Sequence, residues 1–400
     1  ATRAGHAHHV LCLAWAPDGT ALASADRAGE VRLWDPPGVA ASRATSASDK
    51  PRHVLRKHAA WVSALAWAPA HLVSFSTDGH PNNLLASGSK DATVALWNAR
   101  TGRLAQSLAG HSDGVEALAW AGTGLLLSGS RDRTIKVWGA QSVGGADTQL
   151  SPFTGSTTFV LKATLAGHAH RVNTLALSSA HVCRTGPFEP FTPDGAKKTT
   201  TTTETVRDRA RARYDAYVEA CGGAGFAERL VSGSDDATLL FWPKFVVGHE
   251  RPKGSSGSSA TLYKRLTGHA QPVNAIAFAP DARKFASASF DKKVKLWNGY
   301  TGAFLATLTG HVAACYGLAW SPDSRLLVSA SKDSTLKVWH AADDAPPPDA
   351  KAKASGTRKF AAALETLPGH ADEVFCVDWA PNAAHVASGS RDRTIKVWAP

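Results

Sequence analysis

The chain is 400 residues long and basic, with 44 Lys and Arg against 33 Asp and Glu for a formal net charge of +11. That surplus predicts attraction to an acidic partner, RNA or a membrane surface, but no apolar stretch approaches the roughly 20 residues of a membrane span and no secretory signal precedes the first repeat, which argues against a membrane role. Five cysteines, an odd number without a Cys-x-x-Cys pair, argue against disulfides and zinc and for a cytosolic or nuclear setting, and the lack of methionine even at position 1 makes residue 1 read as a cut or a partial gene model.

Length alone would allow two or three domains, but an internal repeat overrides that expectation. Seven units run in chain order near residues 5–34, 57–97, 110–138, 167–242, 268–297, 310–339 and 369–398, opening on His6, His58, His111, His168, His269, His311 and His370. Nine residues after each histidine stands a large apolar residue, Trp15, Trp67, Trp120, Leu177, Phe278, Trp320 or Trp379, and the stretch before it alternates large and small residues at the period of a strand. Both faces of such a strand are expected to be buried, with Cys12, Cys315 and Cys376 as small core residues within it. A second strand such as 125–128, a turn at 131–133 and a third strand at 134–138 follow, and residues 128–138 recur unchanged as 388–398. Fourth strands are read at roughly 52–56, 103–108, 160–165, 261–266, 303–308 and 361–367, six for seven units, so the seam beside the first and last units is expected to be the weakest part.

Four antiparallel strands per unit and a shortest His-to-His spacing of 42 residues match the roughly 40–45-residue period of four-stranded blades, so the fold is read as all-β, a β-propeller. The unit resembles the WD40 family over nearly the whole chain, although the terminal Trp-Asp pair survives only as Trp34-Asp35. The resemblance implies a hydrogen-bonded tetrad of the histidine, a second-strand serine, the Asp six residues before the terminal Trp, and that indole. In the third unit these are His111, Ser128 (with Ser130 as the other candidate), Asp132 and Trp138, and in the last His370, Ser388, Asp392 and Trp398; only the first unit departs, with Ala28 in the Asp position. Ser, His and Asp together invite a hydrolase reading. A catalytic constellation is singular, however, this one recurs, and no Gly-x-Ser-x-Gly elbow occurs, so no catalytic residue is assigned. His8, His9, His168 and His170 fall in different units without a carboxylate at ligand spacing, so no metal and no other cofactor is expected.

Long polar links near 36–51, 139–158, 248–260 and 341–358 read as flexible loops, and Gly248-His249 within one of them mimics a repeat start without the apolar residues that should follow. The fourth unit carries an insertion at 178–228. Its Thr run is low-complexity, but residues 206–218 combine helix formers and alternating charge with Val206, Ala210, Tyr214 and Tyr217 on one side, which predicts a short helix docked through Tyr214 with a basic outer face. The stretch Cys183-Arg184-Thr185-Gly186-Pro187-Phe188-Glu189-Pro190, that Arg-rich segment, and Glu228-Arg229-Leu230-Val231-Ser232-Gly233-Ser234-Asp235-Asp236 resemble the Notchless family of large-ribosomal-subunit assembly factors, with support from Leu367-Pro368-Gly369-His370-Ala371-Asp372-Glu373-Val374.

That resemblance implies a non-catalytic, nuclear and nucleolar scaffold that docks on pre-60S particles, meaning ribosomal RNA and assembly-factor proteins. It also implies an eight-bladed propeller in the full-length family and an N-terminal ubiquitin-like domain that engages the AAA ATPase midasin; this chain shows seven repeats and neither that domain nor the family's first repeat. A generic WD40 interaction platform, such as a ubiquitin-ligase substrate receptor or a Notch-pathway modulator, is the other reading. The turn that holds the tetrad Asp and the loop that holds the histidine must share one face, on which Arg27, Lys90, Arg131, Lys332 and Arg391 precede the Asp position, Arg133, Lys292 and Arg393 follow it, and Trp61, Arg171 and Phe290 add further contacts. Basic groups interleaved with aromatics suit phosphate contacts and base stacking. Asp235, Asp372 and Glu373 interrupt the positive charge.

Overall fold

The computed structural model describes residues 6–18, 20–35, 50–72, 83–141, 157–185, 206–221, 223, 227–243, 263–341, 363–379, 385–392 and 394–398. These form two compact units that divide within the fourth repeat, the first covering Ala1–Phe188, Thr199–Glu228 and Val246–Ser258, the second Glu189–Lys198, Arg229–Phe245 and Ser259–Pro400.

The first unit holds three four-stranded antiparallel sheets, each in simple sequence order. They are β1 (Val10–Trp15), β2 (Leu22–Asp26), β3 (Glu30–Trp34) and β4 (His53–Arg56); β5 (Val62–Trp67), β6 (Leu84–Ser89), β7 (Thr93–Asn98) and β8 (Arg103–Ala109); and β9 (Val115–Trp120), β10 (Leu126–Ser130), β11 (Thr134–Ala140) and β12 (Phe159–Ala166). β13 (Val172–Leu177), α1 (Ala180–Thr185) and α2 (Val206–Ala220) complete this unit. The second unit holds β14 (Leu230–Ser234), β15 (Leu239–Trp242) and β16 (Lys264–Leu266); β17 (Val273–Phe278), β18 (Lys284–Ser289), β19 (Lys293–Asn298) and β20 (Phe304–Thr309); β21 (Cys315–Trp320), β22 (Leu326–Ser331), β23 (Thr335–His340) and β24 (Glu365–Pro368); and a three-stranded sheet of β25 (Val374–Trp379), β26 (Val386–Ser390) and β27 (Ile395–Trp398). The chain is therefore an all-β repeat protein with few helices, and the last repeat has no fourth strand among the described residues.

Within each unit the first strands of successive repeats neighbour one another, β1 beside β5, β5 beside β9 and β9 beside β13 in the first, β17 beside β21 and β21 beside β25 in the second. Bulk and close approach both follow from the sequence. In the second, third and sixth repeats the Trp at the end of the first strand is buried against the preceding sheet, and its indole donates to that sheet's backbone, Trp67 Nε1 to Ala14 O at 2.9 Å, Trp120 Nε1 to Ala66 O at 3.1 Å and Trp320 Nε1 to Ala277 O at 3.0 Å. In the second strand, Gly129 leaves room for the next repeat, because a Cβ there would stand 2.9 Å from Val172 Cγ1.

Three expectations need correction. The first strand is not buried on both faces in every repeat: Val10, Leu11, Leu13 and Trp15 of β1 are 46, 44, 61 and 54 % exposed, because among the described residues of its unit no sheet covers that side of β1. Of the three first-strand cysteines, Cys315 is buried, Cys12 half-buried and Cys376 exposed, since β25 and β26 belong to the last sheet of their unit. The insertion also has a helix the sequence pattern did not indicate, α1, whose Cys183 is buried. Gly248-His249, the Thr run and most of the polar links lie outside the described residues.

The predicted helix is present as α2, docked on a 3-10 turn at Ala70–Leu72. Ala210 and Tyr214 are buried, Tyr214 stacks on His71 with ring centroids 4.4 Å apart, and Tyr217 donates to Ser178 O at 2.7 Å. Gly122 lies under the Tyr214 ring where any Cβ would collide. Glu228, at the return from the insertion, closes the arrangement by accepting from Gly122 N at 2.8 Å, Thr123 Oγ1 at 3.1 Å and Ser179 Oγ. Burial pushes the Glu228 carboxyl up, against these donors. His71 donates to Gly122 O at 2.9 Å, and burial pushes it down to about 4, so it is neutral here.

Candidate functional site

The tetrad is built by the turn between second and third strands. In the third repeat, Asp132 Oδ1 accepts from Thr134 N at 2.9 Å and Thr134 Oγ1 at 2.6 Å, which closes the turn, while Oδ2 meets His111 Nδ1 at 2.7 Å. His111 Nε2 lies 2.7 Å from Ser128 Oγ, and Trp138 Nε1 donates to the same oxygen at 2.9 Å. One proton assignment satisfies the chain: indole N–H to serine oxygen, serine O–H to Nε2, Nδ1–H to carboxylate. His370, Ser388, Asp392 and Trp398 repeat it at 2.8, 2.8 and 2.9 Å. The second, fifth and sixth repeats do the same through Ser87, Ser287 and Ser329. Ser130, the other candidate, instead donates to Gly114 O at 3.0 Å and accepts from Asp132 N at 3.1 Å.

Desolvation holds His58, His111 and His269 below the ordinary imidazole range despite their carboxylate partners, so they stay neutral. Burial pushes Asp132 up, but hydrogen bonds from Thr134 and His111 outweigh it and the carboxyl lies below its ordinary value. Ser128 is fully buried with its hydroxyl committed on both sides, so no substrate carbonyl reaches it. This Ser–His–Asp set positions loops.

The first repeat completes its tetrad by a route the sequence pattern missed. Asp26, two residues before Ala28, takes His6 Nδ1 at 2.8 Å and closes the turn by accepting from Ala28 N and Glu30 N. It stands at the register position of Ser130, opposite the first residue of its first strand. His6, Asp26 and Glu30 also form the group of potential metal donors among the described residues, but His6 is shared by Ser24 and Asp26, and Glu30 by Arg32 and Arg56. In the fourth repeat the buried Trp242 Nε1 has no hydrogen-bond partner among the described residues, and its ring lies 4.8 Å from that of Tyr263.

Of the basic and aromatic candidates, the first unit brings together Arg27 and Trp61, the guanidinium 4.0 Å from the ring centroid, and draws Lys90 and Arg131 onto one carboxylate, Glu116. Arg133 and Lys292 are exposed and occupy the left-handed position of their turns, at φ 70° and 69°. Arg171 is half-buried, and Arg393 lies outside the described residues. In the second unit Lys332 pairs with Glu373 at 3.1 Å, and Arg391 reaches Glu373 at 3.6 Å and Asp372 at 3.8 Å. Much of the positive charge on this face is thus answered by Glu116, Asp372 and Glu373.

Two further residues join Phe290. Tyr316 stands edge-on to it at 5.9 Å, Phe375 lies 5.4 Å beyond, and Tyr316 donates to Glu373 Oε2 at 3.2 Å. Burial and the Glu373 carboxylate push the Tyr316 phenol up. Phe290 and Phe375 are 39 and 47 % exposed. Tyr316 and Phe375 occupy the second position of their first strands, where the second to fifth repeats have Ser63, Glu116, Asn173 and Asn274 and the first has Leu11; the change from polar to aromatic after the fifth repeat was the available signal.

The family model described as WD domain, G-beta repeat matches residues 1–35, 49–98, 102–139, 260–298, 302–340 and 362–399. The chain is 39 % identical over 312 residues to Protein Notchless of Drosophila melanogaster, covering 70 % of this chain and 56 % of the relative. The chain belongs to the Notchless family of WD40 proteins. Two further relatives carry the name Ribosome assembly protein 4, from Saccharomyces cerevisiae at 36 % identity, covering 76 % of this chain and 50 % of the relative, and from Chaetomium thermophilum at 39 %, covering 75 % and 57 %. This Notchless-family chain thus spans about half the length of the curated relatives it matches, and no helix among its described residues is long and apolar enough to cross a membrane.

Proposed function

We propose that this chain is a non-catalytic docking platform in assembly of the large ribosomal subunit, acting in the nucleus and nucleolus on pre-60S particles. The observation that carries the reading is the Phe290–Tyr316–Phe375 run beside the Lys332–Glu373–Arg391 cluster. Exposed aromatics rimmed by paired charges have the anatomy of a docking hot spot, in which the apolar centre supplies affinity and the rim sets orientation. The names of the relatives support the choice of particle, and the family resemblance supports a link to a midasin-type AAA ATPase through a region outside this chain. Ribosomal RNA and assembly-factor proteins are the partners.

Co-sedimentation with large-subunit precursors tests this. Wild-type protein is expected in the precursor fractions, and Phe290→Ser with Phe375→Ser is expected to leave them while remaining folded. Absence of the wild-type protein from these fractions, with recovery on cullin adaptors instead, would give the ubiquitin-ligase reading.

A further inference from the structure

A second basic and aromatic surface lies at the other end of the blades, away from the tetrad turns. β19 runs from beside the Asp291 turn to Asn298, and the turn that follows is rigidly built: Asn298 Oδ1 accepts from Tyr300 N and Thr301 N, both at 2.9 Å, and Gly299 N donates to Arg283 O at 2.6 Å. Tyr300 stands out from this turn 46 % exposed. One face of its ring is covered by Arg229, whose guanidinium carbon lies 4.1 Å from the centroid and whose Nη1 donates to Gly299 O at 3.0 Å. Arg229 is itself only 5 % exposed, so the ring is held by a cation fixed in the protein.

Four residues on, Phe304 is 50 % exposed with Lys295 Nζ 5.1 Å from its centroid. Two half-exposed rings, each backed by a buried cation, follow one another along the chain. Lys264 Nζ donates to Thr301 O at 3.2 Å, and the exposed Arg283 supplies the carbonyl that receives Gly299. Among the described residues neither Lys264 nor Arg283 forms an ion pair, whereas Lys90 and Arg131 are drawn onto Glu116 and Lys332 and Arg391 onto Glu373. Asp281 is the neighbouring carboxylate, and its Oδ1 accepts from Arg283 N.

The second repeat builds the same turn, Asn98 Oδ1 accepting from Arg100 N and Thr101 N, but carries Arg100 and Leu104 where the fifth has Tyr300 and Phe304. The turn alone therefore does not require aromatics. We infer that Tyr300 and Phe304 form a stacking platform for unpaired RNA, with Lys264 and Arg283 receiving the phosphates. A cation behind each ring adds to its attraction for a stacked base, and exposed cations beside the turn that carries the rings match the alternation of base and phosphate along a single strand. An acidic peptide would use the cations and leave the rings without purpose. The inference is independent of what engages the tetrad face.

The test is fluorescence anisotropy of a labelled single-stranded 12-nucleotide RNA with the 400-residue protein across a salt series. Tyr300→Ala is expected to weaken binding about 10-fold, Tyr300→Ala with Phe304→Ala more than that, and Tyr300→Phe hardly at all, because stacking and not the hydroxyl is used. Lys264→Glu with Arg283→Glu is expected to lower the slope of log affinity against log salt by about 1.4, two single-strand phosphates at about 0.7 each. Unchanged thermal unfolding of Tyr300→Ala excludes a folding defect. Failure of the wild-type protein to bind, equal affinity of wild type and the Tyr300→Ala, Phe304→Ala variant, or equal competition by a poly-glutamate peptide would each overturn the inference. Loss of oligonucleotide binding in these variants with particle association intact separates this surface from the tetrad face.

Discussion

β9 and β1 are the same strand in two settings. Val115, Leu118 and Trp120 match Val10, Leu13 and Trp15 position for position, yet Trp120 is 5 % exposed and donates to Ala66 O, while Trp15 is 54 % exposed and Leu13 61 %. The difference is the neighbour: β9 packs on β5, and among the described residues of the unit nothing packs on that side of β1. A repeat motif encodes an interface, and whether the interface exists depends on what stands next to it. The largest expected effect follows directly. Trp120→Ala should destabilise the protein by about 3–5 kcal/mol through lost burial and a cavity, whereas Trp15→Ala should cost less than about 1 kcal/mol. Denaturant unfolding midpoints check this, and equal losses would mean that β1 is covered in solution.

Two kinds of buried histidine extend the comparison. His111 is backed by Asp132; the His71 ring instead meets the Gly122 carbonyl and the Tyr214 ring, and sits at about 4. Because the folded His71 lies below the ordinary 6.5, the unfolded chain binds the proton more readily, so stability is complete above about 6.5 and is lost as pH falls toward 4, by up to about 3 kcal/mol. His58, His111 and His269 shift in the same direction and add to that loss; the depressed tetrad aspartates extend it below about 4. His71→Phe should keep the stack on Tyr214 and flatten the curve between pH 6.5 and 4, with α2 becoming protease-sensitive at the acid end only in the wild type. A curve of unchanged slope in the variant would place the titration elsewhere.

The same logic separates Trp138 from Trp242. Both are buried terminal tryptophans, but Trp138 donates to Ser128 and Trp242 to no partner among the described residues. Trp138→Phe removes a shared hydrogen bond and should cost about 1–3 kcal/mol on that account, while Trp242→Phe removes an unmet donor and should cost measurably less. Comparing the two thermal midpoints isolates the indole N–H from ring volume, which changes alike in both.

These pairs show what was legible in the chain. Strand positions and the docked face of α2 follow from spacing, because each depends on residues whose period is fixed by local geometry, whereas the tetrads at His111 and His370 are implied by the WD40 resemblance, which leaves Ser128 and Ser130 both open. Exposure of β1, the pairing of Lys90 and Arg131 with Glu116, and the entry of Tyr316 and Phe375 beside Phe290 depend on which strands become neighbours across repeats, and no single-repeat pattern carries that. Asp26 sits between: its register was readable, but its role appears only once the turn is seen to close on it two residues early.

The smallest contrast concerns one turn position. Gly29 and Ala92 each stand five residues before the terminal Trp and are left-handed, at φ 87° and 66°. A Cβ on Gly29 would lie 2.6 Å from His58 O, so glycine is needed there for space as well as for conformation. Ala92 carries the left-handed cost, about 1–2 kcal/mol for an L-residue, against which glycine loses more entropy on folding. Ala92→Gly should therefore raise stability by about 0.5 kcal/mol, and Gly29→Ala should lower it by at least about 1 kcal/mol. Opposite shifts of the unfolding midpoint are the expected result; a loss at both positions would mean that the methyl of Ala92 supplies packing that outweighs its backbone conformation.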